Sequence, residues 1–238
     1  RYVDRLHAET TLADGTIGNM LGLLKKAFSY YYIRGEVTRN PVGELMSLNR
    51  DLRGHNQLLK PTPPKKRYLD DAHVVKALET FEGEMLDYFK LSLLTGCRLE
   101  ELRSLRYSEV DLENNIIRFP AERKKNRKPH ELALCAAAQR IVSLRVKCVM
   151  VNFYIFPGIR EVTPAAITGR YNRLMGRTPH DVRRTMSRDL SAGVKCPKEV
   201  ISKIMSHTTG GDDGGARVTS DYTDDGKDFR LDDQRLWL

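Results

Sequence analysis

Residues 178–185 read Thr-Pro-His-Asp-Val-Arg-Arg-Thr. Proline fits the first position of a helix, where its missing N–H has no intrahelical partner, and threonine before it is a good cap. A helix starting near Pro179 puts His180 and Arg183, three residues apart, on one face. Its N-terminus favours an anion. Working outward, the same residue chemistry recurs. Residues 94–102 read Leu-Thr-Gly-Cys-Arg-Leu-Glu-Glu-Leu, with Glu101 three after Arg98, a spacing suited to orienting the guanidinium. Residues 204–207 read Ile-Met-Ser-His, and Tyr222 is the one tyrosine after His207. Each feature has a plainer reading when taken singly: Arg98 and Glu101 as a surface ion pair, His180 as a helix cap. Two arginines, two histidines and a tyrosine in this order read better as a phosphate site.

Breaking a phosphodiester without a metal needs a nucleophile that can carry the phosphate. It also needs cations on the non-bridging oxygens and an acid for the leaving oxygen. Arginine suits the second task, since its planar fork donates to two oxygens and keeps its proton. Tyrosine suits the first, and histidine moves protons near neutral pH. No glycine loop of the phosphate-cradling kind occurs, consistent with chemistry that needs no nucleotide.

Composition points the same way. The chain has 238 residues and a formal charge of +9, which favours a polyanionic partner. No apolar run suggests a membrane span or a signal peptide. The cysteines at 97, 135, 148 and 196 form no CxxC pair, so zinc and thioredoxin-like chemistry lack support. Scattered thiols fit a reducing cytoplasm, and Cys97 reads as a small packing residue. The first residue is Arg1 rather than methionine, and the expectation is a fragment of a longer protein.

The periodicities predict a mainly α chain with a small antiparallel β-sheet. Ile17, Leu21, Leu24, Phe28 and Tyr31 predict a helix over 11–35, after which Asn40-Pro41 breaks the chain. Residues 54–67, Gly-His-Asn-Gln-Leu-Leu-Lys-Pro-Thr-Pro-Pro-Lys-Lys-Arg, read as an extended linker. This divides the chain into 1–53, 54–67 and 68–238. In the last part, helices are expected over 70–81 and 84–94, ending at Gly96, followed by one holding Leu99, Leu102 and Leu105 on a face. Strands are expected at 110–112, 116–119 and 130–134, with a turn at Asn114-Asn115. Further helices are expected near 136–147, 164–174, 180–192 and 198–205. Residues 208–217 hold four glycines and no large apolar group, and read as a mobile loop.

The four segments 94–102, 178–185, 204–207 and 218–222, in this order, resemble the tyrosine recombinase (phage integrase) family. The resemblance covers roughly 66–230 as the catalytic domain, and 1–53 looks like the later part of a helical core-binding domain. It implies that an earlier portion of that domain and any arm-type DNA-binding domain lie outside this chain. It implies that Arg98 and Arg183 hold the scissile phosphate, that His180 serves proton transfer around the tyrosine, and that His207 hydrogen-bonds a phosphate oxygen. Tyr222 would attack, giving a 3′-phosphotyrosyl intermediate and a free 5′-hydroxyl, with Glu101 in support and no metal, ATP or other cofactor. The family also places an acid lysine in a β-hairpin turn, here Lys125 with Lys124 as its rival.

The same resemblance implies a clamp around double-stranded DNA. Lys65, Lys66, Arg67, Arg123, Lys124, Arg127 and Lys128 would then lie near the backbone. It implies a homo-tetramer in which 223–238 pack on a neighbour, possible DNA-bending accessory proteins, and a cytoplasmic, DNA-associated life in a prokaryotic cell. Two departures stand out. Tyr222 lies 15 residues after His207, farther than is usual in the family, and Ser206 replaces the glycine usual before the histidine. The expected activity is site-specific recombination. The other readings are a DNA-binding protein of this fold with lost or weak cleavage, and a type IB topoisomerase-like relaxing enzyme.

Overall fold

The computed structural model describes residues 2–51, 59–60, 67–123, 128–148 and 153–206. The chain forms two compact units, 1–65 and 66–238.

The first unit holds α1 (Tyr2–Glu9), α2 (Asp14–Ile33) and α3 (Pro41–Asp51). Val3, Ile17 and Leu21 form its core, with Leu6, Val42, Leu45, Met46 and Leu59 packed against them. Asn40-Pro41 does not simply break the chain, because Pro41 starts α3 as a first-position proline. The Asn40 side chain accepts from the Gly43 N–H at 2.8 Å and donates to the Lys25 carbonyl at 3.0 Å, which ties α3 to α2. Two residues of the expected linker are also fastened to this unit. The Leu59 N–H donates to Asn49 Oδ1 at 3.1 Å, and the Lys60 N–H to Asp14 Oδ2 at 2.8 Å. The neighbouring stretches 52–58 and 61–66 lie outside the described residues.

The second unit is built round α5 (Gly83–Thr95), whose Tyr88, Phe89 and Leu91 are fully buried. α4 (Asp71–Thr80), α6 (Leu99–Arg103), α7 (Ala136–Cys148), α8 (Pro157–Glu161) and α10 (Pro179–Arg188) pack against it, and α9 (Pro164–Met175) packs on α4. The Phe81, Phe89 and Tyr171 rings meet edge-on or tilted at 5.4 to 6.0 Å in this core. α10 runs into one π turn, Asp189–Gly193, and α11 (Lys198–Ile204) follows Pro197. Leu102 and Leu105 are fully buried, although α6 is shorter than the leucine spacing predicts and ends before Leu105. The five-residue α8 has no counterpart in the sequence reading, because one helical turn is too short to show a period.

β1 (Val110–Asp111), β2 (Ile116–Phe119) and β3 (His130–Ala133) form an antiparallel sheet in that order. Ile117 pairs with Leu132 and Phe119 with His130, so Ile117, Phe119 and Leu132 enter the core. Arg118, opposite Glu131, reaches both Glu131 at 2.9 Å and Asp111 at 2.7 Å across the open face. Cys97 and Cys196 are buried, and burial raises the Cys196 pKa. Among the described residues no helix is long and apolar enough to cross a membrane.

Candidate active site

The site begins with Gly96. It ends α5 in the left-handed conformation, at φ +60°, and its N–H closes onto the Ser92 carbonyl at 2.9 Å. A Cβ here would lie 2.7 Å from Met186 Sδ and 2.8 Å from Met205 Sδ. Glycine therefore lets α10 and the end of α11 close in on the turn that delivers Arg98. Arg98 is the N-cap of α6, with its N–H donating to Glu101 Oε2 at 2.9 Å. Its guanidinium Nη1 donates to Glu101 Oε1 at 3.2 Å and to the Ser206 carbonyl at 3.5 Å. The Arg98 side chain stays 38% exposed, whereas that of Glu101 is 9% exposed. A buried carboxylate holding a half-open guanidinium leaves the arginine fork accessible to an anion.

Arg183 comes from the first turns of α10 and is 4% exposed. Its Nη1 donates to the Gly96 carbonyl at 2.6 Å and its Nη2 to the Met205 carbonyl. Both arginines therefore end at the turn that follows α11, one on each of two successive carbonyls. The last carbonyls of a helix lack intrahelical partners and carry partial negative charge, which suits them to this task. Ser206 occupies that turn at φ +47°, a conformation few L-residues adopt, and its N–H donates to the Lys203 carbonyl at 2.9 Å. This is the left-handed region that glycine adopts more readily than serine.

α10 is capped by a reciprocal pair. The Thr178 side chain accepts from the Asp181 N–H at 3.3 Å, and Asp181 Oδ2 accepts from the Thr178 N–H at 2.9 Å. Thr185 Oγ1 accepts from the Leu69 N–H at 2.7 Å, which anchors the start of the unit to α10. α10 starts at Pro179 and carries His180 and Arg183 one turn apart, as the spacing predicts, with His180 exposed and Arg183 buried.

The expected backbone-contacting cations divide. Arg67 and Lys128 are exposed. Arg123 is not a surface cation: its Nη1 pairs with the buried Glu109, and its Nη2 donates to the Glu101 carbonyl at 3.1 Å and to Ser104 Oγ at 2.6 Å. Its side chain is 16% exposed, so it braces α6 rather than facing a ligand. Lys65, Lys66, Lys124, Lys125, Arg127, His207, Tyr222 and the glycine-rich 208–217 lie outside the described residues. Sequence reasoning missed the Met205 and Ser206 carbonyls and the side chain of His130, which donates through Nε2 to the Lys203 carbonyl at 2.8 Å. Backbone carbonyls leave no mark in a sequence.

The fold and site define an α-rich domain with a three-stranded sheet that presents an arginine pair from two distant segments at one helix end. The pattern of the phage integrase family matches residues 68–212, more than half of the chain, and the chain belongs to that family. It is 28% identical over 192 residues to prophage integrase IntZ of Escherichia coli K12, covering 77% of this chain and 46% of that protein. It is 31% identical over 107 residues to the integrase of Shigella phage Sf6, covering 44% of this chain and 26% of that one. The chain thus spans less than half the length of these relatives. The integrase of transposon Tn1549, solved with circular intermediate DNA, is similar in fold with a TM-score of 0.64 at 18% identity, over 87% of this chain and 75% of that one. A lambda integrase dimer bound to a COC′ core site gives a TM-score of 0.62 at 15% identity, over 87% and 59%.

Proposed function

We propose that this chain is the DNA-cleaving part of a site-specific recombinase that acts on double-stranded DNA. The observation that carries the reading is the convergence of Arg98 and Arg183 on the turn immediately before His207. Two guanidiniums and two histidines near one phosphate suit the charge that develops on the non-bridging oxygens. In the proposed reaction the Tyr222 phenolic oxygen attacks phosphorus. The bond to the 5′-oxygen breaks, and that oxygen takes a proton from Lys125, or from its neighbour Lys124. His180 handles the tyrosine proton, and Glu101 orients Arg98. The 3′-phosphotyrosyl ester keeps the bond energy, so a second strand's 5′-hydroxyl reverses the step without ATP. The relatives named integrases and the similar structures solved with DNA support this reading. We further propose assembly as a homo-tetramer on DNA, with residues 223–238 on a neighbouring subunit and DNA-bending proteins as accessory partners, in a prokaryotic cytoplasm.

One observation favours a second reading. Asp212 and Asp213 sit in the long segment between His207 and Tyr222, and carboxylates near a phosphate repel it. A DNA-binding protein of this fold without cleavage would tolerate that. A nicked duplex that loses its downstream fragment on cleavage separates the two. An SDS-resistant adduct, formed without Mg²⁺ and lost in Tyr222→Phe, is the expected result. Retarded DNA with no adduct would sink the recombinase reading.

A further inference from the structure

β3 opens with His130, and its Nε2 donates to the Lys203 carbonyl at 2.8 Å. The ring lies flat on Phe119, its partner across the sheet, with centroids 5.8 Å apart and planes 10° from parallel. That same carbonyl accepts the Ser206 N–H at 2.9 Å, the bond that closes the turn after α11. The following carbonyls, of Met205 and Ser206, receive Arg183 and Arg98. Side chains 73, 22 and 108 residues away in sequence thus converge on four consecutive residues.

We propose that His130 is a positioning residue for the arginine pair. It holds the 203–206 turn in the shape that aims the Met205 and Ser206 carbonyls at Arg183 and Arg98. The turn needs such support because Ser206, at φ +47°, sits where an L-residue is disfavoured and glycine is not. The support is directional. A carbonyl only accepts, so Nε2 carries a proton, and the Phe119 stack fixes the ring plane in which that proton points. His130 acts through the arginines and touches no reacting atom. The inference rests on the reading that Arg98 and Arg183 hold the scissile phosphate.

The test uses the whole chain and a pool of nicked duplexes of randomised sequence. Duplexes trapped by the wild-type chain are resynthesised with either a normal scissile phosphate or an uncharged methylphosphonate. Four variants are compared below their melting temperatures: His130→Leu, His130→Gln, Ser206→Gly, and the double His130→Leu/Ser206→Gly. His130→Leu is expected to slow adduct formation roughly tenfold, as loss of a group that orients a reactive one does elsewhere. His130→Gln, which keeps an N–H near the Nε2 position, recovers most of the rate. Ser206→Gly restores the His130→Leu rate, because glycine takes the turn unaided. The His130→Leu defect shrinks on methylphosphonate, whose lost charge removes the need for the arginines. A wild-type rate in His130→Leu, no rescue by Ser206→Gly, or an equal defect on both phosphates would overturn the inference. Absence of any wild-type adduct would instead sink the recombinase reading, and the turn is then judged from melting alone. Non-additive stability changes for His130→Leu and Ser206→Gly, with a smaller loss from His130→Leu in the Ser206→Gly background, support the coupling, and additive changes refute it.

Discussion

Gly96→Ala and Gly176→Ala form a matched pair whose difference isolates the packing that builds the arginine site. Both glycines end a helix in nearly the same left-handed conformation, φ +60° and ψ 17° at Gly96, φ +63° and ψ 21° at Gly176. Alanine at either position costs about 1 kcal/mol for adopting that conformation. The surroundings differ. A Cβ at Gly176 meets nothing within 4 Å, whereas at Gly96 it lies 2.7 Å from Met186 Sδ and 2.8 Å from Met205 Cε. Those methionines are 8% and 0% exposed, so they have little room to yield, and overpacking of this kind adds about 1–3 kcal/mol. The total for Gly96→Ala is therefore about 2–4 kcal/mol, against about 1 for Gly176→Ala. In thermal unfolding at about 2–4 °C per kcal/mol, Gly176→Ala should lower Tm by a few degrees and Gly96→Ala by about 4–16 °C. The Gly96 carbonyl also accepts from Arg183, so adduct formation should fall in Gly96→Ala and hold in Gly176→Ala. Equal Tm shifts for the two variants would refute the claim that close approach, rather than backbone conformation alone, demands glycine at 96.

Other outcomes follow from particular contacts. Arg123→Met should destabilise by about 3 kcal/mol in urea unfolding, because it strands buried Glu109. The salt dependence of DNA binding should not change with it, and a reduced slope would restore Arg123 as a phosphate contact. Lys128→Ala should instead lower the slope of log K against log salt by about one, with little change in Tm. Asp111 is held down to about 2, chiefly by the Asn114 side chain and N–H and then by Arg118, against an ordinary value of 3.8. A lowered folded-state pKa gives stability that is present above 3.8 and is lost as pH falls through about 2. Asp111→Asn should flatten the acid unfolding profile in that window, and an Asp111 carboxyl signal titrating near 3.8 by NMR would contradict it.

Much of the architecture was legible because it is local. α2, α4, α5, α9 and α10 fall where apolar spacing, caps and prolines place them. The strand pairing around Asn114-Asn115 follows from alternation and a turn residue, Asn115, that tolerates φ +56°. What was missed has an equally physical cause. Asn40-Pro41 looked like a break, since a proline that starts a helix and one that ends the preceding segment carry the same letters. Leu59 and Lys60 looked like linker, because a main chain held by Asn49 and Asp14 has no sequence signature.

The site divides along the same line. The sequence by itself singled out Arg98, Glu101, His180 and Arg183 by residue type and spacing, and set Glu101 where it can orient the Arg98 guanidinium. That pair is three residues apart, so helix geometry alone brings it together. Only the tertiary structure decided that Arg183 is buried while His180 is exposed, and that Arg123 braces Glu109 instead of facing solvent. It alone decided that Arg98 and Arg183 share the carbonyls of one turn. These contacts span 14 to 108 residues of sequence. They depend on how the helices and the sheet close on α5 and on a glycine small enough to let them. Residue types and spacings specify local hydrogen bonds, but a backbone carbonyl is common to every residue, and only packing selects which one an arginine meets.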